Sequence, residues 1–208
     1  ENSDGGFVSS GTNSSWAWGT ITSGPGAGHS GTKGIATNLG GSYNPNELSY
    51  MTSPVMDLTS FGTASPIIQW WDWKYFESVT YDNITLEVTK NGGTTWTAVW
   101  GPAGGMNDTG MPYSKQTVAL DPTYNVANFQ LRFKMVSDGS VQYLGAYIDD
   151  LGVGKFEIPP ATVIYEEDFE TDDGGYIVSI FDDTITEGPA SWAWGTPSAT
   201  PGPGAAHS

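Results

Sequence analysis

The chain has 208 residues, no cysteine, and 7 Lys and Arg against 23 Asp and Glu, a formal charge of −16. That balance argues against nucleic-acid and anionic-membrane partners, whose phosphates demand cations. The missing cysteine excludes disulfides, thiolate nucleophiles and cysteine-held zinc. What remains is a highly soluble, cation-binding, extracellular or salt-adapted protein, and plain solubility explains the acidity equally well.

Residues 1–34 are Gly/Ser-rich with two tryptophans and read as a long ordered loop with short strands. A short strand follows at 35–39. "SYNPNELSYMTSPVMDLTS" reads as turn, strand, turn, punctuated by Pro45 and Pro54. The strongest strand signal is 66–77, "PIIQWWDWKYFE". Residues 84–90 alternate and lead through Asn91, Gly92 and Gly93 into 95–100, a hairpin signal. After a loop at 101–112 come strands at 114–120, 128–136 and 145–153, with a turn at 137–140. A linker at 155–160 precedes a last strand at 163–169. Short strands, regular turns and no sustained helical period predict an all-β fold, a two-sheet antiparallel β-sandwich of the jelly-roll kind. No stretch reads as a signal peptide or a membrane span.

The chain repeats itself. "ENSDGGF" at 1–7 is answered by "ETDDGGY" at 170–176, "SWAWGT" at 15–20 recurs at 191–196, and "GPGAGHS" at 24–30 returns as "GPGAAHS" at 202–208. The order of the matches points to one unit followed by the opening of a second. The expected organisation is a jelly-roll unit over 1–154, a linker over 155–160, and the start of a second copy over 161–208. Unit one then has no counterpart of residues 164–169, so its sandwich is expected to be one edge strand short. An unpaired edge is a template for strand addition. Docking of the spare strand on unit one, in the same chain or the next, is one expectation. The other is that the ends reflect only where a longer tandem chain was cut.

Three ordered phrases carry a family likeness: "GHSGTKGIATNL" with "LSYMTSPVMDLTS", then "PIIQWWDWKYFE" with "ITLEVTKNGGTTW", then "LRFKMVSDGS" with "AYIDDLGV". In that order, over nearly all of 1–154, they resemble bacterial MAM-like jelly-roll modules. These include cleaved-adhesin and choice-of-anchor domains, and sandwich domains appended to secreted peptidases. "YEEDFETDDGGY" looks like that family's opening strand and turn. The resemblance implies a β-sandwich, extracellular placement, frequent calcium, and binding or adhesion rather than catalysis.

The residues offer little for catalysis. His29 and His207 are the only histidines and hold the same repeat position. "GHSGT" misses the nucleophile-elbow spacing, and no His-Glu-x-x-His is present. His29 and Ser30 read as a turn that caps a strand. Calcium needs six to eight oxygens, and jelly rolls gather them from the first strand and turn plus the last strand. The candidate ligands are Glu1, Asp4, Asp149 and Asp150, with Glu170 and Asp173 as repeat equivalents. Neighbouring aspartates on a strand point to opposite faces, so only one of Asp149 and Asp150 is expected inward, and that one is the better ligand. The alternative is a solvated acidic turn.

In "QWWDWKYFE", Trp71, Trp73 and Tyr75 share one face, opposite Trp70 and Phe76. Those three could form a flat row for stacking sugars, or could be covered by the loop that carries Trp16 and Trp18. Residues 89–96, "TKNGGTTW", resemble an Asp-box hairpin, with Asn91 satisfying the turn and Trp96 tucked behind it.

The functional expectation is a non-catalytic extracellular repeat acting in adhesion or assembly with copies of itself, stiffened by calcium. The alternative is a glycan- or substrate-binding accessory domain of a secreted peptidase or other hydrolase.

Overall fold

The computed structural model describes residues 3–104 and 112–155. The chain divides into two units, Glu1–Glu157 and Ile158–Ser208, and the described residues all lie in the first. In chain order its strands are β1 Val8–Thr12, β2 Trp16–Thr20, β3 Lys33–Thr37, β4 Leu48–Thr52, β5 Pro66–Tyr75, β6 Asn83–Thr89, β7 Thr97–Ala103, β8 Ser114–Ala119, β9 Gln130–Val136 and β10 Gly145–Lys155. They form two five-stranded sheets. Sheet 1 has the order β1-β4-β9-β6-β7 and sheet 2 the order β2-β3-β10-β5-β8. Every neighbouring pair is antiparallel, so the expected β-sandwich is the fold. No helix among the described residues is long and apolar enough to cross a membrane.

Period-two patterning sets which side chains meet between the sheets. In β9, Leu131, Phe133 and Met135 are buried, while Arg132 and Lys134 alternate with them toward solvent. In β5, Ile68 and Trp70 enter the main core, and Trp73 turns to the opposite face. Across the sandwich Trp70 meets Trp100 and Phe133 edge-on, with centroids 5.1 and 5.6 Å apart. Trp16 reaches from β2 to within 6.4 Å of Phe133. Burial of large side chains such as these is worth roughly 1.5–3 kcal/mol each.

Three carboxylates also go inside, and each is held by donors of the chain. Glu47 accepts from the Ser15 amide (2.9 Å), the Ser15 hydroxyl (2.6 Å) and Ser49 Oγ. Asp72 takes the Lys74 ammonium at 2.5 Å and the Trp70 indole N–H at 3.3 Å. Asp82 accepts from the Asp138 amide at 2.9 Å and from the Tyr43 hydroxyl. Burial and the bond to Asp82 together push the Tyr43 phenol well above its ordinary value. A carboxylate left unpaired in such places would cost several kcal/mol, so these bonds tie the loops to the strands.

The strand ends differ from expectation for local reasons. The region 1–34 contains β1, β2 and the start of β3. The hairpin's second strand begins at Thr97, because the turn uses residues up to Trp96. Asn91 Oδ1 accepts the Thr95 amide at 2.9 Å, and the Trp96 indole donates to the Gly93 carbonyl at 3.1 Å. This is the structural role expected of the hairpin. Lys155 belongs to β10 rather than to a linker. The expected strand at 163–169, like the rest of the second copy, lies outside the described residues.

Candidate functional site

The outer face of sheet 2 has its own small core. Trp73 of β5, Tyr147 of β10, Ala36 of β3 and Ile21 pack together with Leu39, Tyr75, Tyr113 and Leu144 around them. The segment between β2 and β3 lies across this face. The Ile21 amide donates to the Thr32 carbonyl at 3.0 Å, Ser23 Oγ meets the Tyr147 hydroxyl at 2.7 Å, and the Tyr113 hydroxyl donates to the Ala27 carbonyl at 2.9 Å. His29 stacks flat on Trp71, with centroids 3.8 Å apart and planes 10° apart.

The expected aromatic row is therefore covered. Trp73 is 1% exposed and offers no ring to a ligand, Trp71 lies under His29, and Tyr75 packs edge-on against Tyr143 at 5.0 Å. The cover comes from the residues after β2, not from Trp16, which is in the main core.

The paired aspartates also depart from expectation. β10 pairs with β5 in register up to Asp149↔Trp71 and resumes at Gly152↔Gln69, a bulge. Asp150 adopts φ 49°, a left-handed conformation that aspartate tolerates better than most residues. An extra residue breaks the two-residue period, so both carboxylates reach the same turn at His29 and Ser30. Asp149 Oδ2 accepts the Ser30 amide at 2.9 Å, and Asp149 Oδ1 accepts the Asp150 amide at 2.8 Å. Asp150 Oδ1 accepts the Ser30 hydroxyl at 2.6 Å, and Asp150 Oδ2 meets His29 Nδ1 at 2.7 Å. The Ser30 hydroxyl first and the imidazole second hold the Asp150 carboxyl below its usual range. Neither aspartate points into the main core.

Ser, His and Asp thus meet here, but their wiring is not that of a hydrolase. The Ser30 hydroxyl donates to the carboxylate rather than to the imidazole. It therefore lacks the hydrogen bond to an imidazole through which the serine of a Ser-His-Asp triad gives up its proton. The trio clamps the turn onto β10.

Asp4, Asp149 and Asp150 line one cavity of about 290 Å³, together with Ser3, Phe7, Trp18, Ser30 and Lys33. Three of the expected calcium ligands are thereby brought to one place. Among the described residues, however, no three acidic or histidine side chains stand close enough to hold a metal. The oxygens of both β10 aspartates already accept protons from the chain. Glu1, Glu170 and Asp173 lie outside the described residues.

The outer face of sheet 1 is different. Strand register places Tyr50 beside Lys134, and Thr52 beside Arg132, which is beside Glu87. The Arg132 guanidinium lies between two rings, 4.0 Å from the centre of Tyr50 and 4.1 Å from that of Trp96. Its Nε and Nη2 both reach Glu87 Oε2, at 2.7 and 2.6 Å. Lys134 stands 3.8 Å from Glu87 Oε1. This is the chain's one arginine. Sequence reasoning passed over the cluster, although alternation in "LRFKMV" already turned Arg132 and Lys134 outward. Two partly exposed aromatic rings around a fixed set of charges form a preorganised polar and aromatic surface, of the type that orients small ligands.

No family model matches the chain. Bacillopeptidase F of Bacillus subtilis (strain 168) is 31% identical to it over 154 residues, which are 73% of this chain and 10% of that protein. The chain therefore spans about a tenth of the relative's length. Among solved structures, a carbohydrate-binding module of the β-sandwich superfamily is similar with a TM-score of 0.47 and 12% identity, covering 73% of this chain and 58% of that one. The K3 cleaved adhesin domain of Lys-gingipain from Porphyromonas gingivalis w83 is similar with a TM-score of 0.45 and 13% identity, covering 71% of this chain and 90% of that domain. The relative in sequence is a peptidase, to which the sequence likeness had pointed.

Proposed function

We propose that the chain is a non-catalytic, extracellular accessory module of a peptidase or similar hydrolase, which holds the enzyme against a glycan or polymeric substrate. The observation that carries this reading is the 154-residue likeness to Bacillopeptidase F, a domain-sized stretch amounting to 10% of a much longer protein. The wiring of His29, Ser30 and Asp150 supports the non-catalytic part. The recognition surface is the outer face of sheet 1, where Tyr50 and Trp96 flank Arg132. Aromatic rings give a sugar apolar faces to stack on, and the fixed Glu87, Arg132 and Lys134 give hydroxyls fixed partners. A glycan array and sedimentation with insoluble polysaccharides test this. Binding that Tyr50→Ala and Trp96→Ala abolish while Trp71→Ala spares it is the expected result. Absence of binding, or binding indifferent to both substitutions, refutes it.

A second reading, adhesion or assembly through copies of the unit over 1–154, is favoured by the motifs of residues 1–30 that recur in order over 170–208. In that setting we propose calcium at the cavity of Asp4, Asp149 and Asp150, with Glu1 as a further ligand, and with Glu170 and Asp173 in the equivalent places of the second copy. A bound ion would have to compete with Ser30 and His29 for the β10 carboxylates. Thermal melts with calcium and with EDTA decide: a higher midpoint in calcium is expected, and identical curves remove the metal.

A further inference from the structure

The strands of sheet 1 hold one carboxylate, Glu87, and two bases, Arg132 and Lys134. In a chain of formal charge −16, these strands carry an excess of positive charge. All three groups share the outer face. Register sets Val8, Thr52, Arg132, Glu87 and Ala98 in one row across the five strands, and Ser10, Tyr50, Lys134 and Thr85 in the next. Apart from Glu87, no side chain in either row repels an anion.

Glu87 takes only one side of the guanidinium. Nε and Nη2 of Arg132 both donate to Glu87 Oε2, and these two nitrogens form one edge of the planar group. A guanidinium has five N–H bonds in a fixed fork. The end of the fork, where Nη1 stands beside the second N–H of Nη2, has no hydrogen-bond partner among the described residues. Tyr50 and Trp96 close the two flat faces, so the group is held from both sides and along one edge. Lys134 stands 3.8 Å from Glu87 Oε1, too far for a hydrogen bond, and keeps its donors as well.

A neutral sugar hydroxyl offers this end of Arg132 a single oxygen and leaves the excess charge unmatched. A carboxylate offers two oxygens in one plane, which take both prongs of the fork and balance the charge. A tetrahedral sulfate puts further oxygens out of that plane, on the sides that the electron-rich ring faces occupy. We propose that the face around Arg132 selects polysaccharides whose sugars carry carboxylates, the uronic-acid polymers, with the carboxylate on the fork of Arg132 and beside Lys134. This narrows the glycan-binding reading, on which it rests, to one substrate class.

Polygalacturonate and alginate, each compared with its own ester, test the charge while the sugar rings and linkages stay the same. Calorimetric titration of the full chain at neutral pH should show severalfold tighter binding to the acid than to the ester, with a gap that closes as salt is added. Lys134→Gln, at a side chain 31% exposed, should narrow that gap without moving the melting midpoint, and Arg132→Gln should abolish it. Equal binding of acid and ester in both pairs overturns the inference, as does a gap that both variants leave intact. So does dextran sulfate bound as tightly as the uronic-acid polymers. Xylan, mannan and β-glucan tell the failures apart. If these neutral polymers bind and the acids have no advantage, the uronate preference falls and the glycan-binding reading stands. If no polymer binds, both fall.

Discussion

Around Trp73 and Tyr147 the outer face of sheet 2 is covered, whereas around Arg132 that of sheet 1 is open to water, although both sheets carry aromatic rings there. On sheet 2, Trp73 and Tyr147 lie beneath a segment that hydrogen-bonds to Tyr147 and to Leu39, and His29 closes over Trp71. On sheet 1, Tyr50 and Trp96 remain beside solvent and enclose Arg132, whose charge Glu87 balances. The same residue types thus do opposite work. Covered rings contribute stability through burial, and open rings hold a charged group in place for a partner.

The largest expected effect separates the faces directly. Trp73→Ala should cost about 3–5 kcal/mol in denaturant unfolding, as for other buried tryptophans. Tyr50→Ala should cost about 1 kcal/mol or less, the scale of an exposed cation–π contact. Equal losses would end the distinction between the faces.

Next comes the cover itself. Gly24 has φ 59°, and a Cβ there would fall 2.6 Å from the Tyr147 ring. Gly24→Ala should lift the segment at a cost of roughly 1–3 kcal/mol, the range for forced overpacking. Hydrogen exchange should then accelerate in residues 21–32 and not in β4 or β9. Uniform acceleration would mean that the segment is no separate cover.

Acid sharpens the picture further. The folded state holds the Asp150 carboxyl below its ordinary value through Ser30 and His29. That stabilisation is present above the unfolded pKa of about 4 and is lost as pH falls through the lower folded value. Asp150→Asn should therefore melt earlier than wild type near neutrality, by at most about 1 kcal/mol at so exposed a side chain. The two should converge in strong acid. A gap that persists there would point to shape rather than charge.

The smallest stability effect belongs to the charged face. Arg132→Lys keeps the charge but loses the planar fork between the rings. It should shift the melting midpoint little and still weaken glycan binding, if Tyr50 and Trp96 owe their placement to the guanidinium. Binding unchanged in Arg132→Lys would assign recognition to the rings alone.

What could be read before folding was local. Alternation in 66–77 and 128–136, the Asn91 turn and the Gly/Pro punctuation identified strands because side-chain period and turn chemistry act over a few residues. The same rule misjudged Asp149 and Asp150, since the bulge that turns both toward Ser30 is a feature of how β10 lies against β5. It put Trp71, Trp73 and Tyr75 on one face correctly but could not say what covers that face.

By itself the sequence determined the all-β character, the sides of β5 and β9, the hairpin, and the repeated motif. Tertiary structure alone decided that Ile21 seals Trp73 and that Tyr50 of β4, Trp96 of the hairpin turn and Arg132 of β9 converge. The reason is physical: the period of a strand is set by its own backbone, whereas burial is set by segments far away in the chain.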